Sequence, residues 1–162
     1  AVPFDGEGTP TRKINLVKDG IITNFIHSEA TARTFKVKPT GHAGLGSKVS
    51  VGPDWLIISK SRNYKSQGTK YNHKKTMEPF VLIESLSALH AGIKSTQGSF
   101  SLPFDGWLVK DGEKISIEAA TVAGDIKKLL MNITEIEDEI IITPNGISPH
   151  IWVQELSITG EA

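Results

Sequence analysis

Cysteine is absent from the 162 residues. That excludes disulfides, thiolate metal ligation and a thiol nucleophile, and it removes any reason to assign an oxidising compartment. Excess charge of one sign is absent too. Lys and Arg together number 18, as do Asp and Glu, so no global basicity argues for nucleic acid or an anionic membrane. No apolar run approaches the ~20 residues that a bilayer span requires. The longest candidate, FVLIESL, is short and already contains Glu84. Phosphate-loop, nucleophile-elbow and HExxH signatures are missing as well. GHAGLG has glycines, but not at the spacing of a dinucleotide fingerprint. The opening AVPFDGEGTP has neither Met nor a signal pattern, so the expectation is a piece of a longer, cytoplasmic chain.

What is present is a globular composition, 38% hydrophobic and 22% charged, in a length that suits one domain over residues 1–162. Two short words recur in it. PFDG stands at Pro3–Gly6 and Pro103–Gly106, and LVKDG at Leu16–Gly20 and Leu108–Gly112. The two words are not separated by the same distance in both copies, so a strict internal duplication does not follow. Asp-Gly between β-prone runs is a hairpin signal, because glycine takes positive φ freely and aspartate tolerates it. We therefore expect hairpins closing at Asp19-Gly20 and Asp111-Gly112. In the first, Ile14 and Leu16 share a face with Ile21 and Phe25; in the second, Ile115 and Ile117 alternate. Asp5 and Asp105 read as turn formers.

A helix is predicted over SEATARTFKV, capped by Ser28, supported by Glu29 in its first turn and ended by Pro39-Thr40-Gly41. TGHAGLGSKVSVGP reads as a glycine-rich loop, Trp55–Ser59 as a buried strand, and FVLIESL as another strand. A second helix is predicted after Asp125, with Ile126, Leu129, Leu130 and Ile133 on one face. Two final strands follow, DEIIIT and HIWVQELSIT, joined by a PNGISP turn. Strands outnumber helices and connections are short. The fold class expected is α+β, mainly antiparallel β (a twisted sheet or barrel-like), with two short helices.

Candidate chemistry is sparse. His27, His42, His73, His90 and His150 show no metal-ligand spacing. Glu135, Glu137, Asp138 and Glu139 read as a solvated face beside a helix end, the usual fate of a charge run. Between Lys60 and Lys75, six basic residues and two tyrosines occur without an acid. That stretch is either an exposed loop or a grip for phosphate, with Tyr64 and Tyr71 stacking on bases. The connection Leu89–Ser101 combines a histidine, two glycines and several hydroxyls between apolar strands. It is either a glycine-bent loop or a surface facing peptide or partner, carried by His90, Gly92, Ser95, Thr96, Gly98 and Ser99. No catalytic residue and no metal ligand is assigned.

ESLSALHAGIKSTQGSFS, FDGWLVKDGE and TVAGDIKKLLMNI, in that order, resemble the C-terminal domain of the TldD/PmbA family. PFDGEGTPTRKINLVKDGIITNFIHSEATA is similar to that domain's opening and SPHIWVQELSITG to its closing strand, so the likeness runs over nearly the whole chain; it is weakest from Lys60 to Pro79. The resemblance implies a two-subunit zinc peptidase once called a modulator of DNA gyrase. In such a pair the TldD-type subunit carries an HExxxH helix and takes a further cysteine ligand from its C-terminal domain. The PmbA or TldE type lacks the metal set. This chain has neither HExxxH nor Cys, so the resemblance implies the non-catalytic type. No cofactor is expected in this chain, and zinc is expected in the partner. The implied partners are a TldD-like subunit, self-association, or both, with a peptide as substrate; neither nucleic acid nor membrane is expected. Two alternatives stay open: a domain of a self-sufficient homomeric metallopeptidase, and a gyrase- or nucleic-acid-associated binder.

Overall fold

The computed structural model describes residues 2–61 and 78–160; most of the basic stretch Lys60–Lys75 lies outside them. The described chain runs β1 (Val17–Lys18), β2 (Ile21–Ile22), α1 (Glu29–Phe35), β3 (Ala43–Leu45), β4 (Val49–Val51), β5 (Leu56–Ile57) and β6 (Phe80–Leu86). It continues with α2 (Leu89–Gly92), β7 (Ile93–Lys94), β8 (Ser99–Lys110), β9 (Glu113–Asp125), α3 (Ile126–Met131), β10 (Ile133–Thr143), β11 (Gly146–Val153) and β12 (Ser157–Thr159). The fold is α+β and β-rich: β1–β2, β3–β4, β6–β8, β7–β8, β8–β9 and β9–β12 pair antiparallel, and β11 pairs with β5 in parallel. Among the described residues none of the sheets closes into a barrel. Two compact units are present: the described residues of Ala1–Tyr64 with Asp138–His150, and those of Lys65–Glu137 with Ile151–Ala162.

The first unit is held by loops and caps more than by a core. Ser28 caps α1, accepting from the Thr31 N–H, and Lys36 ends it in the left-handed region at φ 55°. Buried Thr40 clasps the helix entrance. Its Oγ1 accepts from the His27 N–H at 2.8 Å and donates to the His27 carbonyl at 3.1 Å. The Asp19-Gly20 hairpin forms in the expected register, Val17 with Ile22 and Lys18 with Ile21, but the ladder extends no further and its apolar side chains stay exposed. The supposed loop at 40–53 contains a hairpin, Ala43 pairing with Val51 and Leu45 with Val49. A ladder needs backbone amides rather than side chains, so the glycines there did not prevent it. Trp55–Ser59 is not a buried strand. Only Leu56 and Ile57 pair, at the edge of the β10-β11-β5 sheet, and both are over 40% exposed. The PNGISP turn is confined to Pro144-Asn145, because Gly146 to Pro149 belong to β11.

Asp5 is the turn former that the first PFDG implied. Its Oδ1 accepts from the Glu7 and Thr9 amides at 3.0 and 2.9 Å, and its Oδ2 accepts from the Ala43 amide at 2.9 Å. These donors, Ala43 first, hold its carboxyl below the ordinary 3.8, with the His42 ring adding to the effect.

The second unit carries the hydrophobic core. β6 lies against β8, β8 against β9, and β9 against β12, with β7 also on β8. Leu102, Phe104, Ala120 and Val122 are buried on one face, packed by Val81, Ile83, Phe100, Ile117 and Leu156. Alternation along β8 explains this arrangement: Leu102, Phe104 and Gly106 point inward while Ser101, Pro103 and Asp105 point out. The second PFDG is therefore not a turn, and Asp105 is not a turn former. The strand runs straight through it, and the turn comes later at Asp111-Gly112, with φ 52° and 83°. In α3, Asp125 does cap, accepting from the amides of Lys127 and Lys128. The expected apolar face fails, however. The helix stops at Met131, β-branched Ile133 opens β10, and Ile126 and Leu130 are exposed. Glu135 to Glu139 lie within β10, where the Glu137 carboxylate accepts from the Trp152 indole N–H at 3.0 Å. A third helix, the single turn α2, joins the two that the sequence indicated.

Phe104 is 1% exposed. Phe104→Ala should destabilise the chain by about 3–5 kcal/mol, the usual loss for an emptied phenylalanine site. Urea unfolding should show a lower midpoint with little change in slope.

Because the folded pKa of Asp5 is depressed, its contribution is present above 3.8 and is lost as the pH falls through the folded-state value. Asp5→Asn should lower the melting temperature at neutral pH. It should also flatten the acid-side loss of stability that wild type shows in melts from about pH 5 to pH 2.

Candidate functional site

The six residues singled out between β6 and β9 fall on one small hairpin. His90 lies on α2 and is exposed, as are Ser95 and Thr96 at the turn after β7. Ser99 opens β8 and pairs with both Lys94 and Asp125. The two glycines serve the backbone. A Cβ on Gly92 would stand 2.3 Å from the Ser101 carbonyl oxygen, so glycine lets α2 lie directly on β8. Gly98 takes φ +73° and accepts at its carbonyl from the Ile126 N–H at 2.8 Å, tying the hairpin to the start of α3. The hairpin thus presents His90, Ser95 and Thr96 outward on a support fixed by glycine contacts.

A second feature escaped the sequence reading. Midway along β8 the ladders on both sides lose register at one level. On β9, Phe104 pairs with Ala120 and Gly106 with Ile117, so Glu118 and Ala119 stand opposite Asp105 alone. On β6, Ile83 pairs with Gly106 and Ser85 with Asp105, which leaves Glu84 as the extra residue. Each extra residue bends its strand and re-aims neighbouring side chains. Ala119 is held at φ 56°, a region unfavourable by roughly 1–2 kcal/mol for a residue with a Cβ. Gly106 is obligatory here, because a Cβ would lie 2.0 Å from the Leu82 carbonyl oxygen.

The result is an open groove of about 480 Å³ lined by Glu84, Asp105, Trp107, Ser116 and Glu118, with Gly106, Ile117 and Ala119. None of these residues is basic. The Ser85 hydroxyl donates to Asp105 Oδ2 at 3.2 Å. Among the described residues no Lys, Arg or His forms an ion pair with Glu84, Asp105 or Glu118. The only sequence signal was the second FDG, a word that reads as a turn until the length of β8 is known.

Among the described residues no three of His, Asp and Glu gather closely enough to hold an ion, and cysteine is lacking throughout. No step through zinc is derived for this chain. Among the described residues no helix is long and apolar enough to cross a membrane.

Known proteins with the same architecture carry this further. A family profile described as the PmbA/TldA metallopeptidase C-terminal domain matches residues 1–160. Metalloprotease PmbA of Escherichia coli O157:H7 is 26% identical over 162 residues, 99% of this chain and 33% of that protein. A PmbA homolog of Haemophilus influenzae is 24% identical over 161 residues. Among solved structures, a protein named as a modulator of a DNA gyrase from Thermotoga maritima superposes with a TM-score of 0.70 at 28% identity, over 98% of this chain and 35% of that one. TldE from Thermococcus kodakarensis shares the fold with a TM-score of 0.73 at 23% identity, over 98% of this chain and 36% of that one. The chain spans about a third of the length of these relatives. With the match running from the first Asp-Gly turn to the closing strand β12, the chain belongs to the PmbA/TldA metallopeptidase C-terminal domain family and is of the PmbA/TldE-like kind.

Proposed function

We propose that this chain is the C-terminal domain of a non-catalytic subunit that pairs with a zinc-bearing, TldD-like subunit to process peptides in the cytoplasm. One observation supports the reading: a domain of a metallopeptidase family that has neither cysteine nor HExxxH and in which, among the described residues, no three of His, Asp and Glu gather as a metal site. A protein of that kind contributes by assembly and by positioning. Zinc in the partner would polarise the scissile carbonyl and activate water, and this chain would hold the peptide across the cleft. The α2–β7 hairpin suits a cleft wall, since it projects His90, Ser95 and Thr96 from a backbone fixed at Gly92 and Gly98.

A second reading, a self-sufficient homomeric metallopeptidase, draws on the name metalloprotease carried by the E. coli relative. A gyrase- or nucleic-acid-associated role would draw on the basic stretch, most of which lies outside the described residues.

Affinity purification of the longer parent protein from native extract separates the first two. An HExxxH-bearing relative recovered in near-equal amount is the expected result; recovery of the protein alone with bound zinc would establish the homomeric enzyme instead. In the reconstituted pair, His90→Ala should slow peptide turnover about five- to tenfold, the scale of one lost hydrogen bond, with the melting temperature unchanged. Unaltered turnover would remove the hairpin from the site.

A further inference from the structure

We propose that the outer edge of β10 pairs antiparallel with β10 of a second copy of this chain, in a twofold register centred on Ile141. The pairing does not depend on the peptidase reading above. It rests on backbone phase, side-chain exposure and the order of charges along one strand.

Among the described residues β10 is an outer strand, followed by β11 and then β5. Which of its backbone groups face outward follows from β11. The Leu56 N–H donates to the Asn145 carbonyl at 3.1 Å and the Ile58 N–H to the Ile147 carbonyl at 2.8 Å, so Ile147 turns its polar groups toward β5. Its neighbours Gly146 and Ser148 therefore turn theirs toward β10. The turn between β10 and β11 is Pro144-Asn145, which sets Thr143 opposite Gly146, Ile142 opposite Ile147 and Ile141 opposite Ser148. The Thr143 hydroxyl donates to the Gly146 carbonyl at 3.1 Å, as the first of these pairs requires. Thr143 and Ile141 thus bond inward, while Ile140 and Ile142 aim N–H and C=O at the outer edge. Pro149 agrees with this phase, because it falls opposite Ile140, where β11 needs no N–H.

The side chains suit another strand. Ile140 is 64% exposed and Ile142 72%, on one face, and Ile141 is 39% exposed on the other. Unpaired edge groups flanked by β-branched side chains are a template for strand addition. The order of charges selects the direction. Glu135, Glu137, Asp138 and Glu139 all precede the isoleucines, and no charged residue stands between Ile140 and Pro149. In-register parallel pairing of two copies would set carboxylate beside carboxylate. Antiparallel pairing about Ile141 sets Glu139 against the second copy's Thr143 and Asp138 against its Pro144, so acid never faces acid. In that register Ile140 and Ile142 exchange both backbone bonds with the second copy's Ile142 and Ile140, and their side chains form one apolar cluster. Ile141 meets its own counterpart at the axis, with Cα atoms about 4.5 Å apart. The contact is small beside the roughly 1,200–2,000 Å² of a standard interface, so the dimer is weak and depends on concentration.

Sedimentation velocity of the 162-residue chain from about 5 to 500 µM should show monomer giving way to dimer. Ile140→Pro removes an outward N–H and leaves the bonds to β11 in place. It should weaken dimerisation at least about tenfold, with an unchanged circular dichroism spectrum. Because the chain has no cysteine, Ile141→Cys places a single thiol at the axis, and mild oxidation should link two copies readily. Thr143→Cys, roughly 14 Å from its counterpart in this register, should not link. A monomer at every concentration, an Ile140→Pro variant that dimerises like wild type, or equal linking at both positions would each overturn the proposal. Were the chain monomeric and Ile140→Pro to lose the HExxxH-bearing relative in purification of the parent protein, that subunit would occupy the edge and the second copy would not.

Discussion

The register break around Asp105 is the constraint on which the second unit depends. Phe104 and Leu102 must point into the core, and so must Ala120 and Val122 on one side of the break and Ile117 on the other. With strict alternation, inward positions on β9 would keep one parity throughout. Glu118 and Ala119 together opposite Asp105 change that parity and let both halves of β9 face the core. The left-handed Ala119 and the close approach at Gly106 are local consequences of the same adjustment. The outward consequence is the groove, since residues displaced from the ladder carry their carboxylates to the open face.

Local chemistry was legible in the sequence wherever a residue satisfied its neighbours. Ser28 and Asp125 were identified as caps, Asp19-Gly20 and Asp111-Gly112 as turns, and Phe80–Leu86 as a strand, all from short-range rules. The errors arose where tertiary pairing decided the outcome. The glycines of 40–53 signal a loop, yet Ala43 finds Val51 and receives support from Asp5, 38 positions away in sequence. The apolar spacing after Asp125 signals a long helical face, yet the chain turns into β10 after six helical residues. Trp55–Ser59 reads as a core strand by composition, but it occupies an edge.

The candidate site shows the same division. His90, Ser95 and Thr96 stood out because polar residues between apolar strands are conspicuous in any sequence. The groove was invisible, because Glu84, Asp105 and Glu118 are far apart in the chain and only the ladder registers bring them level. The repeated PFDG, one motif with two outcomes, makes the point most directly. In the first copy Asp5 folds its loop by accepting three amides; in the second, Asp105 sits mid-strand and gives its charge to a surface.

Under the proposed function the domain would hold and orient a peptide while a partner subunit carries the metal. The measurement that tests this most directly is the zinc content of the purified 162-residue chain after incubation with excess Zn²⁺ and desalting. The account predicts that no stoichiometric metal is retained. One tightly held zinc per chain would contradict it and place metal chemistry within this domain.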